Sequence, residues 1–415
     1  MFTPDADPSN LAETGWGIVL PAGESSETVG VLQALEPLLA RRREQAGDRF
    51  RVLEYRRGED AHSFLARYGE QLGAPSLIDV PGYLLLIGAP SHIPFDVQVM
   101  LCLYYAVGRL AFDSVEEYAS YAAATAQHED APERPRHRVV AFAPGAASNP
   151  PLDGADACVA ESVSRVPRKG PAPQTELVVG PSATRHGLLE ALAGGPSDLL
   201  FTVTHTLVYP PGHPRQRDRQ GSLLCAPSGS DADTMDDRVL AAADLSDDVD
   251  LRGMISVHAG SFCAGTGQVD SLAVQAFKEQ HLLAPEALVG PLPRRLLGRA
   301  RPVLAVIGQI DRLALWGPVE QRWTKLTPLL QDLHIRLIRR NRVGHALSGA
   351  AVAWASLSAQ LAEALSRISP SRPADEAGIA ATWAHKETVR SVVLIGDPAV
   401  RLAPVAEVPA ARRPT

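Results

Sequence analysis

Short uninterrupted apolar runs alternate along this chain with longer stretches of helical periodicity, and that alternation predicts strands and helices in turn. Gly17-Ile-Val-Leu-Pro, Phe50-Arg-Val-Leu-Glu-Tyr and Tyr83-Leu-Leu-Leu-Ile read as strands, the last buried on both faces because no polar position interrupts it. The segment from Ile93-Pro-Phe-Asp96 through Tyr105-Ala-Val-Gly-Arg-Leu-Ala-Phe112 closes this first sheet. Apolar spacing of three and four predicts helices over 27–45, 61–68 and 114–127. A second series of strands follows: Arg138-Val-Val-Ala-Phe, Thr175-Glu-Leu-Val-Val, Asp198-Leu-Leu-Phe-Thr-Val-Thr-His205, Met254-Ile-Ser-Val-His-Ala, Pro302-Val-Leu-Ala-Val-Ile-Gly and Ser391-Val-Val-Leu-Ile-Gly. Helices are predicted over 154–164, 184–192, 326–340 and 344–367, with one more starting near residue 271. The whole is an α/β pattern with a mainly parallel sheet flanked by helices. The charged, Pro-broken stretch 128–137 reads as a linker between an amino-terminal α/β lobe (1–127) and a larger domain (138–405), with a disordered tail over 406–415. The Pro-, Gly-, Asp- and Arg-rich stretch 210–250 is a long loop of the kind that carries function or processing.

Two of these strands stop on reactive residues. One ends at His205, and the other runs into Gly260-Ser261-Phe-Cys263-Ala-Gly-Thr-Gly267. In a parallel sheet the carboxyl ends of neighbouring strands open on one crevice, so a His ending one strand can face a nucleophile ending the next. His258, inside its strand, reads instead as a hydrogen-bonded core residue. The glycines around 260–267 lack the Gly-Lys-Ser/Thr ending and the GxGxxG spacing of phosphate-cradling loops. Trp316, Trp323, Trp354 and Trp383 are scattered and read as core anchors.

Composition narrows the partners. The 415 residues are 45% hydrophobic, enough to fill a sizeable core. A net charge of −7 with no basic stripe argues against nucleic acid. Cys102, Cys158, Cys225 and Cys263 show no CxxC spacing and no His cluster, which argues against structural zinc and a disulfide framework, and no cofactor is implied. The amino terminus is acidic and Pro-bearing, and no run approaches the roughly 20 apolar residues that span a bilayer. A cytoplasmic protein without membrane attachment is expected.

Five strings occur in one order: Tyr105-Ala-Val-Gly-Arg-Leu, Asp198-Leu-Leu-Phe-Thr-Val-Thr-His205, Gln220-Gly-Ser-Leu-Leu-Cys225, Leu304-Ala-Val-Ile-Gly-Gln-Ile-Asp-Arg312 and Gly396-Asp-Pro-Ala-Val-Arg-Leu402. Together they resemble the gingipain-like cysteine peptidases of the caspase-fold group, which also holds caspases, metacaspases, separases and CHAT-domain proteases. The resemblance runs from Tyr83 to Leu402 and implies a caspase-haemoglobinase fold that cleaves peptide bonds with a His-Cys dyad. It implies His205 as the dyad histidine. Laying Ala264-Gly-Thr266 and Asp270 on the family's pattern puts the nucleophile position at Ser261, where the family carries cysteine. Three accounts stay open: a replaced cysteine, a degenerate member, or a strand two residues longer that makes Cys263 the nucleophile.

Thr206 stands where the family has glycine after the histidine, so the oxyanion donors implied are the backbone N–H groups of Thr206 and Ser261. A serine hydroxyl relies on a base oriented by a third group, and no carboxylate motif offers itself. Ser261 with His205 is therefore expected to bind a peptide better than it cleaves one. Relatives that cut after Arg or Lys hold that side chain on an acidic residue; Asp96, Asp270 and Asp311 are the candidates here. Arg215, Arg217 and Arg219 would then be self-cleavage sites. The resemblance implies a peptide or protein substrate, control by an activating protease or regulatory protein, and a part in bacterial stress or defence. The alternative is a non-catalytic, caspase-like peptide-binding protein.

Overall fold

The computed structural model of the chain describes residues 6–23, 26–71, 73, 75–167, 170–228, 234–273, 279–314, 319–369 and 374–406. Ten strands form one sheet: β1 (Trp16–Pro21), β2 (Phe50–Tyr55), β3 (Tyr83–Ile87), β4 (Ala106–Leu110), β5 (Arg138–Ala143), β6 (Gln174–Val179), β7 (Leu199–Val203), β8 (Ile255–Ala259), β9 (Ala305–Gln309) and β10 (Val392–Gly396). Their order across the sheet is β2-β1-β3-β4-β10-β9-β8-β7-β5-β6. Neighbours within β2-β1-β3-β4 and within β9-β8-β7-β5-β6 are parallel, while β10 runs antiparallel to β9. β10 meets β4 at Ile395 and Arg109, so the strands of both expected lobes belong to one sheet.

The lack of polar positions in β3 and β10 has a plain cause. One apolar core runs along a single face of the whole sheet, from Ile18 and Leu85 through Ile395 and Val306 to Leu200 and Val140. Two further clusters cover the opposite face, around Leu84, Leu86 and Val107 at one end and around Phe201, Val257 and Ile307 at the other. Both side-chain sets of a strand are buried, so alternation disappears.

Several elements differ from expectation. The helix expected over 27–45 is two, Ser26–Ala34 and Glu36–Ala46, because Pro37 lacks the N–H that an uninterrupted helix would need. Phe95 does not lead a strand; helix Phe95–Leu101 starts after Pro94. Helix Pro291–Gly298 and helix Glu376–Arg390 add to the expected pattern. The 210–250 loop carries the turn Gln216–Arg219 and a small ribbon of Leu223–Leu224 with Val239–Leu240. Trp323 is buried and donates its indole N–H to the Asp153 carbonyl. Trp316, the tail from 407 and the stretch 274–278 of the helix expected after 271 lie outside the described residues. Among the described residues no helix is long and apolar enough to cross a membrane.

Two buried polar networks explain strings singled out in the sequence. Asp397, fully buried past β10, accepts from the Trp16 indole and pairs with the buried Arg42 guanidinium at 2.7 Å, while Arg42 also pairs with Glu129. Arg109 of β4 is also fully buried; it donates to the carbonyls of Gly88 and Ile93 and to Gln98, and burial pulls its pKa down to about 9. It thereby fixes the loop that follows β3.

Candidate active site

The site grows from the carboxyl ends of β7 and β8. These strands pair in parallel with Val203 opposite Ala259, and the ladder continues past both ends. The Thr204 N–H donates to the Ala259 carbonyl at 3.2 Å, and the Thr206 hydroxyl donates to the Ser261 carbonyl. Continued at the same offset, the pairing brings His205 to the level of Ser261. Both are half-exposed, whereas Thr204, Thr206, Gly260 and Phe262 on either side are buried. Residues 205 and 261 thus keep partial solvent access at the strand ends where their chain neighbours have none. Gly260 permits the approach: a Cβ there would lie 2.7 Å from the Thr204 carbonyl oxygen.

The turn carrying Ser261 is pinned to the end of β9. Gln309 accepts the Gly260 N–H through Oε1 at 3.1 Å, its carbonyl takes the Ala264 N–H, and the Asp311 carbonyl takes the Phe262 N–H. Phe262 has a φ of 58°, the left-handed region, and the chain reverses there. That reversal settles what residue 263 can do. Cys263 is 0% exposed, with its Sγ donating to the His258 carbonyl and receiving the Gln309 N–H. Burial pushes its thiol up to about 12. The fallback in which Cys263 attacks a peptide is corrected: its sulfur is a packed core atom without contact to solvent.

Burial holds the His205 imidazole below its ordinary range, and a hydrogen bond with the Pro151 backbone pulls it part of the way back. The ring is therefore neutral near pH 7 and fit to accept a proton. The Ser261 hydroxyl oxygen receives the Leu313 N–H at 3.0 Å. Among the described residues the backbone hydrogen bonds at this edge do not use the amide N–H groups of Thr206 and Ser261. Sequence reasoning does not reach Pro151, Leu313 or Gln309. The first two act through backbone groups, which no side-chain pattern reveals; Gln309 lies unremarked inside one of the five strings.

The three acidic candidates separate. Asp311 is 6% exposed, and burial raises its pKa against the lowering effect of the Ser271 hydroxyl, which donates to it at 2.5 Å. Asp270 is 2% exposed and pairs with Arg312 at 2.6 Å, and its charge adds to the upward pressure on Asp311. These two therefore lie together, tied to the turn at 261–263 by the Phe262 N–H donating to the Asp311 carbonyl and the Leu313 N–H donating to the Ser261 hydroxyl. Asp96 does not join them. Its side chain is 79% exposed in the first turn of helix Phe95–Leu101 and pairs with Arg390, so its reading as a pocket base is corrected to a solvated ion pair. His258 is a satisfied core residue, bridged between the Thr202 and Ser256 hydroxyls at 2.8 and 2.6 Å. Among the described residues no group of three His, Cys, Asp or Glu side chains could hold a metal ion.

No protein-family model matches this chain, and no curated protein matches it. The chain is similar in fold to a solved structure called "Structure of Protease", at 11% sequence identity and a TM-score of 0.50, over 95% of this chain and 80% of that one. At that identity the likeness is one of fold: a large, mostly parallel α/β sheet flanked by helices.

Proposed function

We propose that the chain is a caspase-fold endopeptidase scaffold in which residue 261 is the nucleophile position and His205 the general acid and base. The observation that supports this reading is that 205 and 261 follow adjacent parallel strands by the same two residues, both partly exposed between buried neighbours. With a cysteine at 261 the steps balance simply. His205 takes the thiol proton, the thiolate attacks the scissile carbonyl carbon, and the resulting oxyanion lies toward the Thr206 and residue 261 amides. The protonated imidazole then gives its proton to the leaving amine, and water attacks the thioester with His205 again as base.

With serine the same frame is weak. The Pro151 backbone orients the ring but, being uncharged, does little for the imidazolium that forms. Losing a charged third partner costs on the order of 10⁴ in turnover in serine peptidases. Thr206, stiffer than the family's glycine, ties its hydroxyl to the Ser261 carbonyl and so holds the two strand ends at fixed spacing. The buried Asp270 and Asp311 support a preference for Arg or Lys before the scissile bond, where an incoming guanidinium would replace that of Arg312.

A second reading, a cleft that binds peptides without cutting them, is favoured by Ser261 itself. A peptide acyloxymethyl ketone separates the two. The Ser261→Cys protein becomes covalently labelled in a His205-dependent way if the frame is catalytic; a binding module stays unlabelled with either residue at 261.

A further inference from the structure

A cavity of about 490 Å³ opens beside the candidate site, between the loops that follow β3 and β4, the loop that leaves His205, and the segment 285–289. Ala89, Phe112 and Leu288 supply apolar wall, and Asp113, Arg217 and Arg294 supply charge. Asp113 is shared between two guanidiniums: it pairs with Arg294 through one oxygen and reaches Arg217 through the other at 3.7 Å. Arg294 Nε is buried without a hydrogen-bond partner, and the Arg217 side chain is 75% exposed. Glu286 also lines the cavity, yet among the described residues it forms no ion pair with either arginine. One carboxylate thus serves two arginines, and a second carboxylate has donors waiting for it.

The cavity wall is continuous with the site. Gln216 donates its side-chain amide to the Leu283 carbonyl at 2.7 Å, joining the loop after His205 to the segment 283–289. Leu288 and Val289 pair with Thr266 and Gly265 just past the nucleophile turn, and Gly221 packs against the Phe262 backbone. We infer that this groove is a docking site for a polypeptide bearing an acidic residue on an otherwise apolar stretch, engaged together with the cleft at 205 and 261. The inference rests on the peptidase reading for its second contact point. From β8 to β4 are three strand spacings, about 14 Å at roughly 4.8 Å each, which extended chain covers in about four residues.

The test uses the Ser261 protein and fluorescein-labelled peptides carrying one fixed Arg and one Glu moved stepwise away from it on either side, read by fluorescence anisotropy. Affinity rises about tenfold when the Glu stands about four residues from the Arg on one side, as a single charge-assisted contact warrants. Arg217→Glu removes that maximum, Arg217→Lys keeps part of it, and Ala89→Trp, which fills the groove, lowers binding of the long peptides. A flat profile, or a maximum that survives both Arg217→Glu and Ala89→Trp, overturns the groove. Cleavage of the same peptides by the Ser261→Cys protein is scored separately: an inert Ser261→Cys protein with an intact maximum defeats the peptidase reading and leaves the groove standing.

Discussion

A cysteine placed at 261 should be the one reactive thiol of the folded protein, and the contrast can be worked out in advance. Burial holds Cys225 and Cys263 at about 12 and raises Cys158. A half-exposed thiol at 261 starts from an ordinary value of about 8.5, so at pH 7 roughly 3% is thiolate against about 10⁻⁵ for the buried thiols, a ratio of about 3,000. More basic thiolates are intrinsically better nucleophiles, with a Brønsted slope of about 0.45, which reduces the rate advantage to about a hundredfold. The Leu313 N–H, aimed at the atom at 261, and the adjacent His205 act in the favourable direction. The assay is iodoacetamide alkylation of folded Ser261→Cys at pH 7, followed by peptide mapping, with the Ser261 chain as blank. The introduced thiol should be modified first, and His205→Ala should move the midpoint of its pH dependence upward. Modification of Cys225 or Cys263 at a rate equal to or above that of the introduced thiol would refute the geometry.

Stability should fall between pH 6.5 and about 4: burial lowers His258 and His334 to about 4, so the unfolded chain takes up protons there that the fold refuses, costing up to about 3 kcal/mol each. Denaturant melts at stepped pH read this, and His258→Gln should flatten the slope. Asp397→Ala leaves the Arg42 charge buried without its main partner and should cost roughly 3–5 kcal/mol by the same melts, a loss far above that of any surface pair. Gly260→Ala brings a methyl to 2.7 Å from the Thr204 carbonyl, so peptide labelling of the Ser261→Cys protein should drop by about tenfold or more while secondary structure by circular dichroism persists.

What the sequence discloses follows from what each residue does alone. β3 and β10 are continuous apolar runs because both faces of the sheet are covered, and that signal needs no neighbour to interpret it. The polar residues at 205 and 261 are legible because each stands two positions past a buried strand. Helix Phe95–Leu101 is not, since seven residues reading Phe-Asp-Val-Gln-Val-Met-Leu alternate as a strand would, and Pro94 marks a start for either. Helix Glu376–Arg390 escapes notice because few of its residues are buried, leaving a faint apolar stripe. The exposure of Asp96 depends on Arg390, 294 positions away, and the orientation of His205 depends on the backbone of Pro151; neither leaves a mark in local pattern. Cys263 looks equivalent to Ser261 until the left-handed turn at Phe262 sets them on opposite sides of the surface.

Positions 205 and 261 are proposed to work as one unit on a peptide bond. The most direct measurement of this is hydrolysis of a fluorogenic Arg-amide peptide set by four proteins: the Ser261 chain, Ser261→Cys, and each with His205→Ala. The account predicts turnover in Ser261→Cys alone, at least about a hundredfold above the other three. Equal rates in all four, or a Ser261→Cys activity indifferent to the loss of His205, would contradict it.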